Sequence, residues 1–207
     1  MRLSIGADPG TTGGIALCSS SGLLEATRVP ARHLGRSSSR RLVDARALRA
    51  IVWTWSLKHD FAGADRVTAV IEQMQTFAAS EKAGQWPLLS MGMSAGIIEG
   101  VLAAFSHETL NPPPATWKST YGLLARRSAV QKAAGIGAET TGERKQRAHR
   151  VALMLYPTMG RVPHDVAEAV LIAAWGLSVP LPQVSLDVQR GKQPMATGAE
   201  EDPWSRS

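Results

Sequence analysis

The first third of the chain alternates short apolar runs with polar, glycine-rich breaks. Residues 3–7 form an apolar run that predicts a strand buried near the centre of a sheet. Asp8-Pro9-Gly10-Thr11-Thr12-Gly13-Gly14 must then turn, given its proline and three glycines. Residues 15–18 read as the returning strand and 23–29 as a third, so the opening is an antiparallel hairpin. Residues 30–41, rich in Ser and Arg, read as an exposed loop. Helical spacing follows over 43–57, with Leu48, Ile51, Val52 and Trp55 on one face. Residues 67–71 are β-branched and apolar, a second buried strand that ends at Glu72.

Beyond that point the punctuation is sparser. A polar connection over 74–86 leads to a helix at 88–104, which forms despite its glycines. A weak strand at 108–110 is stopped by Pro112-Pro113-Pro114, the last of which can open a helix. Glycines make 128–141 a mobile loop. A helix is predicted over 143–156, with Ala148, Val151, Ala152 and Leu155 as its apolar face, and another over 165–177. The apolar pattern ends near residue 188. The organisation expected is one domain, 1–187, with a disordered tail, 188–207. No internal repeat is present.

Composition narrows the setting. The 207 residues are 44% hydrophobic, enough for a core. No run of about 18 apolar residues exists to span a membrane, and the N-terminus lacks the pattern of a signal peptide. Cys18 is the single cysteine, so no intrachain disulfide can form, in keeping with a reducing compartment. The setting expected is cytoplasmic, in a nucleoid or a phage-infected cell, with an organelle matrix as the alternative.

Charge changes the picture further. The net charge is +6, which suits a polyanionic partner or serves solubility alone. The cations lie in blocks. Residues 118–150 hold eight, including Lys118, Arg126, Arg127 and Lys145, against Glu139 and Glu143. Arg28, Arg32, Arg36, Arg40, Arg41, Arg46 and Arg49 form a second block with Asp44 as its one acid. Such clustering favours phosphate contacts.

The acids are placed where chemistry could use them. Asp8 and Glu72 each end a buried strand, and Asp165 and Glu168 share a helical face three residues apart. Taken singly, Asp8 could simply begin a turn and Asp165 cap a helix. Gathered together, four carboxylates repel one another unless a cation offsets them. Hard oxygen donors select Mg²⁺, with Mn²⁺ able to substitute. Two such ions about 3.5–4 Å apart can clamp both oxygens of a phosphodiester displacement.

Five segments carry a family resemblance. Ile5-Gly6-Ala7-Asp8-Pro9-Gly10-Thr11-Thr12-Gly13-Gly14-Ile15-Ala16 resembles the opening of the RuvC-like Holliday junction resolvases. Val70-Ile71-Glu72-Gln73 resembles their second motif, and Asp165-Val166-Ala167-Glu168-Ala169-Val170-Leu171-Ile172-Ala173 their closing helix. Thr116-Trp117-Lys118-Ser119-Thr120-Tyr121-Gly122-Leu123 and Ala152-Leu153-Met154-Leu155-Tyr156-Pro157 are most similar to the phage and plastid branches. The resemblance spans roughly residues 3–180. It implies an α/β, RNase H-like fold with a mixed central sheet flanked by helices, and a homodimer that nicks a four-way DNA junction in pairs. It implies Asp8, Glu72, Asp165 and Glu168 as catalytic ligands of two divalent ions, with His164 as the alternate third ligand. Lys118 and Lys145 correspond to basic residues beside the scissile phosphate. Arg126 and Arg127 join them as DNA contacts.

Some features stay open. Phe77 either stacks on a base of the opened junction or belongs to the core, and Trp86 competes for the stacking role. Gly92, Gly96 and Gly100 either admit a dimer contact or let their helix pack closely on the sheet. Two other functions compete. Asp-Pro-Gly-Thr-Thr-Gly also resembles the first phosphate loop of actin-like ATPases and sugar kinases, which need a second lobe that 207 residues do not supply. The other is a junction-binding protein without catalysis, against which the four acids argue.

Overall fold

The computed structural model describes residues 1–35, 40–74, 85–124, 140–160 and 162–179. Strands β1 (Arg2–Ala7), β2 (Gly14–Ser19) and β3 (Gly22–Arg28) form the expected antiparallel meander. A small hairpin of β4 (Ala31–His33) and β5 (Arg41–Val43) leads into helix α1 (Ala45–Lys58). Strand β6 (Arg66–Ile71) returns parallel to β1. Helix α2 (Gln85–Ala103) precedes β7 (Glu108–Leu110), which lies parallel to β6. Helices α3 (Pro114–Thr120), α4 (Thr141–Leu155) and α5 (His164–Ser178) complete the described chain. The main sheet runs β3-β2-β1-β6-β7. Three antiparallel strands followed by two parallel ones, with helices on both faces, is the RNase H-like arrangement.

Both faces of the central strands are covered, so they read as continuous apolar runs. The two faces differ in size. Leu3, Ile5, Ile15, Leu17, Val67 and Ile71 meet Leu48, Val52 and Trp55 of α1 and Ile98 and Leu102 of α2. Small residues, Ser4, Gly6, Ala16 and Cys18, fill the opposite face of β1 and β2, against α5. That face admits α5 backbone to backbone. A Cβ on Gly6 would fall 2.2 Å from the amide nitrogen of Ala173, and one on Gly14 2.4 Å from the carbonyl of Asp165. The helix reciprocates at Gly176, where a Cβ would meet Ser4 Oγ at 2.3 Å. Contact at these three levels fixes the axial position of α5, and with it the height of its first turn.

Several expectations change. The segment 30–41 is not simply a loop, since β4 and β5 pair within and beyond it. Their pairing is anchored by Leu42 and Val43, which are buried. Helix α1 starts later than expected because the Asp44 carboxylate accepts from the amides of Arg46 and Ala47 and caps it. Leu155, expected on the apolar face of α4, is 47% exposed; among the described side chains of the helix, Ala148 and Ala152 are the buried ones. At the other end of α4, Thr140 and Glu143 form a capping box. The expectation that Gly92, Gly96 and Gly100 pack α2 onto the sheet is overturned: a Cβ at any of them meets nothing within 4 Å. They lie on the side of α2 turned away from the core, while Ile98 and Leu102 face it. The expected tail and most of the expected loop at 128–141 lie outside the described residues.

Candidate active site

Parallel pairing of β1 with β6 sets Ala7 opposite Ile71, so the next residues along, Asp8 and Glu72, emerge side by side at the centre of the sheet. The Glu72 amide donates to the Ala7 carbonyl at 3.1 Å, and the Asp8 amide to the Gly14 carbonyl at 3.0 Å. The glycine turn wraps tightly around this point. A Cβ on Gly13 would lie 1.9 Å from the Asp8 carbonyl oxygen.

Helix α5 adds the other two acids. Its first turn crosses β2 at Gly14, which brings Asp165 and Glu168 toward Asp8. Burial pushes the Asp8 carboxyl well above the usual carboxylate range, and the nearby Glu168, Glu72 and Asp165 push it further, with Lys118 opposing. Burial likewise raises Glu168. Lys118 and, more weakly, Lys145 act to lower it, while Glu72 and Asp165 raise it. All four acids predicted from the sequence therefore share one electrostatic environment. His164 touches the Asp165 carboxylate directly, so the two candidates for the third position stand together.

The right-hand wall comes from α3, which follows β7 on the same end of the sheet. Pro114 occupies its first turn. Trp117 is fully buried and donates its indole Nε1–H to Glu72 Oε2 at 2.7 Å. Lys118 Nζ lies 3.5 Å from Glu72 Oε2 and 3.9 Å from Glu168 Oε1. Lys118 is thus inside the acidic group, whereas Lys145 is exposed on α4 and reaches it only through its field. Trp86 is half-buried on α2 with the Arg40 guanidinium 4.9 Å above its ring. Phe77, Arg126 and Arg127 lie outside the described residues.

Sequence reading missed two contributions. One is Trp117 as the donor that orients Glu72. A buried indole must find an acceptor, but nothing in the sequence says which. The other is the set Gly6, Gly14 and Gly176. Their spacing on strands and helix has meaning only once α5 is known to cross β1 and β2.

The donor set can be tested against a metal ion. Among the described residues no three Asp, Glu, His or Cys side chains converge as a ready-made metal site; the Lys118 ammonium stands between Glu72 and Glu168. The chemistry of the donors suits a hard divalent cation all the same. They are carboxylate oxygens, and four of them outnumber the single lysine held among them.

Fold and site together define an RNase H-like α/β protein with an acidic centre at the ends of its two middle strands. Three solved structures are similar in fold. Thermus thermophilus RuvC in complex with a Holliday junction substrate superposes with a TM-score of 0.48 at 13% identity, over 84% of this chain and 90% of that one. Thermus thermophilus RuvC alone gives 0.45 at 16%, over 83% and 90%. The yeast mitochondrial Holliday junction resolvase Ydc2 gives 0.36 at 14%, over 83% and 75%. No protein-family model matches the sequence, and no curated protein matches it.

Proposed function

We propose that this protein is a divalent-metal-dependent DNA endonuclease that resolves four-way junctions by paired nicks. The observation that carries the reading is that Asp8 and Glu72 leave two paired parallel strands side by side, with Lys118 3.5 Å from Glu72 and 3.9 Å from Glu168. Asp8, Glu72, Glu168 and Asp165, with His164 as alternate, would hold Mg²⁺ or Mn²⁺. Bound there, a pair of ions supplies an activated water and stabilises the leaving oxygen of a phosphodiester. The protein's own groups prepare that chemistry. Trp117 fixes the Glu72 carboxylate. Lys118 holds a positive charge where a phosphate oxygen gains negative charge. Lys145 and the general basic surplus draw the polyanion in.

A four-way junction has two-fold symmetry, so paired nicks need two identical sites. The surface offered for a symmetric dimer is α2. Leu88, Leu89, Met91 and Met93 are 42–54% exposed there, and Gly92, Gly96 and Gly100 leave room for close approach. An exposed apolar helix face of this kind calls for a partner.

The rival reading places nucleotide phosphates on the turn at residues 8–14. Two of its amides, those of Asp8 and Gly13, are already spent on the turn's own carbonyls. The deciding experiment incubates the protein with a synthetic four-way junction and a linear duplex, with Mg²⁺, with Mn²⁺ and with chelator. The nicks are mapped, and sedimentation is run in parallel. Symmetric metal-dependent nicks by a dimer support the reading. Binding without cutting points to an inactive junction binder. Sedimentation as a monomer both free and on the junction removes the paired mechanism.

A further inference from the structure

The β4–β5 hairpin and the start of α1 carry Arg32, Arg41, Arg46 and Arg49, all exposed, and Arg28 is exposed at the end of β3. We propose that this arginine surface is a phosphate-binding platform for a duplex arm of the DNA cut at Asp8 and Glu72. The inference rests on the nuclease reading for the identity of the DNA, and on the fold alone for the platform.

Continuity with the acidic centre is the first support. Asp8 bonds to Gly14, and Gly14 lies opposite Arg28 in the β2–β3 register. Val29 bonds back to Gly13 at 2.9 Å. Arg28 is therefore two strand spacings from Asp8, about 10 Å along the sheet. At a rise of about 3.4 Å per nucleotide, that is a displacement of some three nucleotides from the cleaved bond. The hairpin leaves the sheet at this same end. Its strand β5 packs against α2, and Arg40 beside that strand lies over the Trp86 ring of the same helix.

Rigidity is the second. Leu42 and Val43 are buried against the core. The Asp44 amide bonds to the Pro30 carbonyl at 2.9 Å, and the Leu34 amide to the Arg40 carbonyl at 3.0 Å. A backbone so held adds little ordering cost of its own when the arginines bind.

The third is that four of these arginines have no anionic partner among the described residues. His33 stands opposite Arg41 across the hairpin, while Arg32 pairs with Leu42 on the other face of the ribbon. Arg46 sits in the first turn of α1, at the positive end of the helix dipole. The one acid of the segment, Asp44, is committed to capping α1. Among the described residues, Arg28, Arg32, Arg41 and Arg46 have no carboxylate within ion-pair distance. Exposed arginines with no carboxylate partner on a fixed frame are open to phosphates.

The test is the triple variant Arg32→Ala, Arg41→Ala, Arg46→Ala. Its control makes an equal change in net charge at the far end of α1, some 16 Å away: Thr54→Glu, Leu57→Glu, Lys58→Ala, all at exposed positions. Affinities for a four-way junction and for a linear duplex are measured in chelator across a salt series. The hairpin variant should bind both more weakly, and its dependence of log Kd on log salt should flatten by about one per arginine. Unchanged affinity and slope, or an equal loss in the control, overturns the platform. Should the wild type bind duplex yet cut no junction, the nuclease reading fails, while the comparison of the two variants on duplex still decides the platform. A wild type that binds neither DNA overturns both.

Discussion

The indole Nε1–H of Trp117 donates to Oε2 of Glu72 at 2.7 Å, from a side chain fully buried beneath the acidic centre. Trp117→Phe keeps the ring packing and removes this donor alone. Glu72 would then lose its fixed orientation. Groups that orient a metal ligand typically matter by about 10–100-fold in metal affinity or activity. Mn²⁺ titration of Trp117→Phe should show a loss of that size with the thermal midpoint little changed. Equal Mn²⁺ affinity in the two proteins would mean that the bond serves packing only.

Lys118 is the internal counter-charge of the site, 3.5 Å from Glu72 and 3.9 Å from Glu168. Lys118→Met removes the charge but retains most of the stem. Without it the carboxylates repel more strongly, so divalent ions should bind more tightly. Cleavage should nonetheless slow, because the positive charge beside the phosphate is gone. Calorimetric metal binding and single-turnover rates separate the two effects. A variant that binds metal more weakly and cuts at the wild-type rate contradicts both assignments.

Asp8 and Glu168 titrate above the usual range in the folded protein, chiefly through burial. A carboxyl with a raised folded pKa binds more protons folded than unfolded in the interval between its two pKa values. Stability without metal therefore falls as pH rises through that interval, and the penalty is complete above the folded pKa. Glu25, held low by Lys58 and His59 against the opposing effect of its burial, works the other way, and its contribution is lost as pH falls. It is paired near the surface, so its effect is the smaller one. In chelator the thermal midpoint should rise as pH is lowered from neutral toward about 5. Asp8→Asn should raise the midpoint at neutral pH and flatten the profile. A lower midpoint for Asp8→Asn at neutral pH would show that its charge is already offset in the free protein.

Two glycines should respond in opposite directions. Gly6→Ala drives a methyl into the backbone of α5 at Ala173 and Ala169, where neither side can yield. Overpacking of this kind costs about 1–3 kcal/mol or more, and here it also lifts Asp165 and Glu168 from their place. Gly142→Ala, near the start of α4, meets only Thr140 Oγ1 at 3.9 Å and should gain up to about 1 kcal/mol from helix propensity. Urea unfolding of both variants checks the pair. Similar midpoints would mean that α5 does not rest on Gly6 as described.

The local rules carried most of the fold. Apolar runs closed by acids at Asp8 and Glu72 were legible because both faces of β1 and β6 are buried. The parallel pairing that makes those acids neighbours was not contained in either run, since it depends on β6 returning beside β1. The β4–β5 hairpin was hidden by its arginines, because three-residue strands show no periodicity. Gly92, Gly96 and Gly100 looked like packing residues by their spacing, yet only the rotation of α2 decides which way they face. The prominence of Lys118 over Lys145 likewise came from where α3 lands after β7.

The central claim is that Asp8 and Glu72 serve chemistry while arginines and lysines serve binding. Asp8→Asn and Glu72→Gln preserve side-chain size and remove charge. The most direct measurement sets gel-shift affinity for a four-way junction beside the single-turnover cleavage rate, for wild type and both variants, in Mg²⁺. Each variant should bind as tightly as wild type or slightly more so, with a negative charge near the phosphates gone. Cleavage should fall by several orders of magnitude. Cutting at close to the wild-type rate by a folded Asp8→Asn protein, or a loss of binding in proportion to the loss of cleavage, would contradict it.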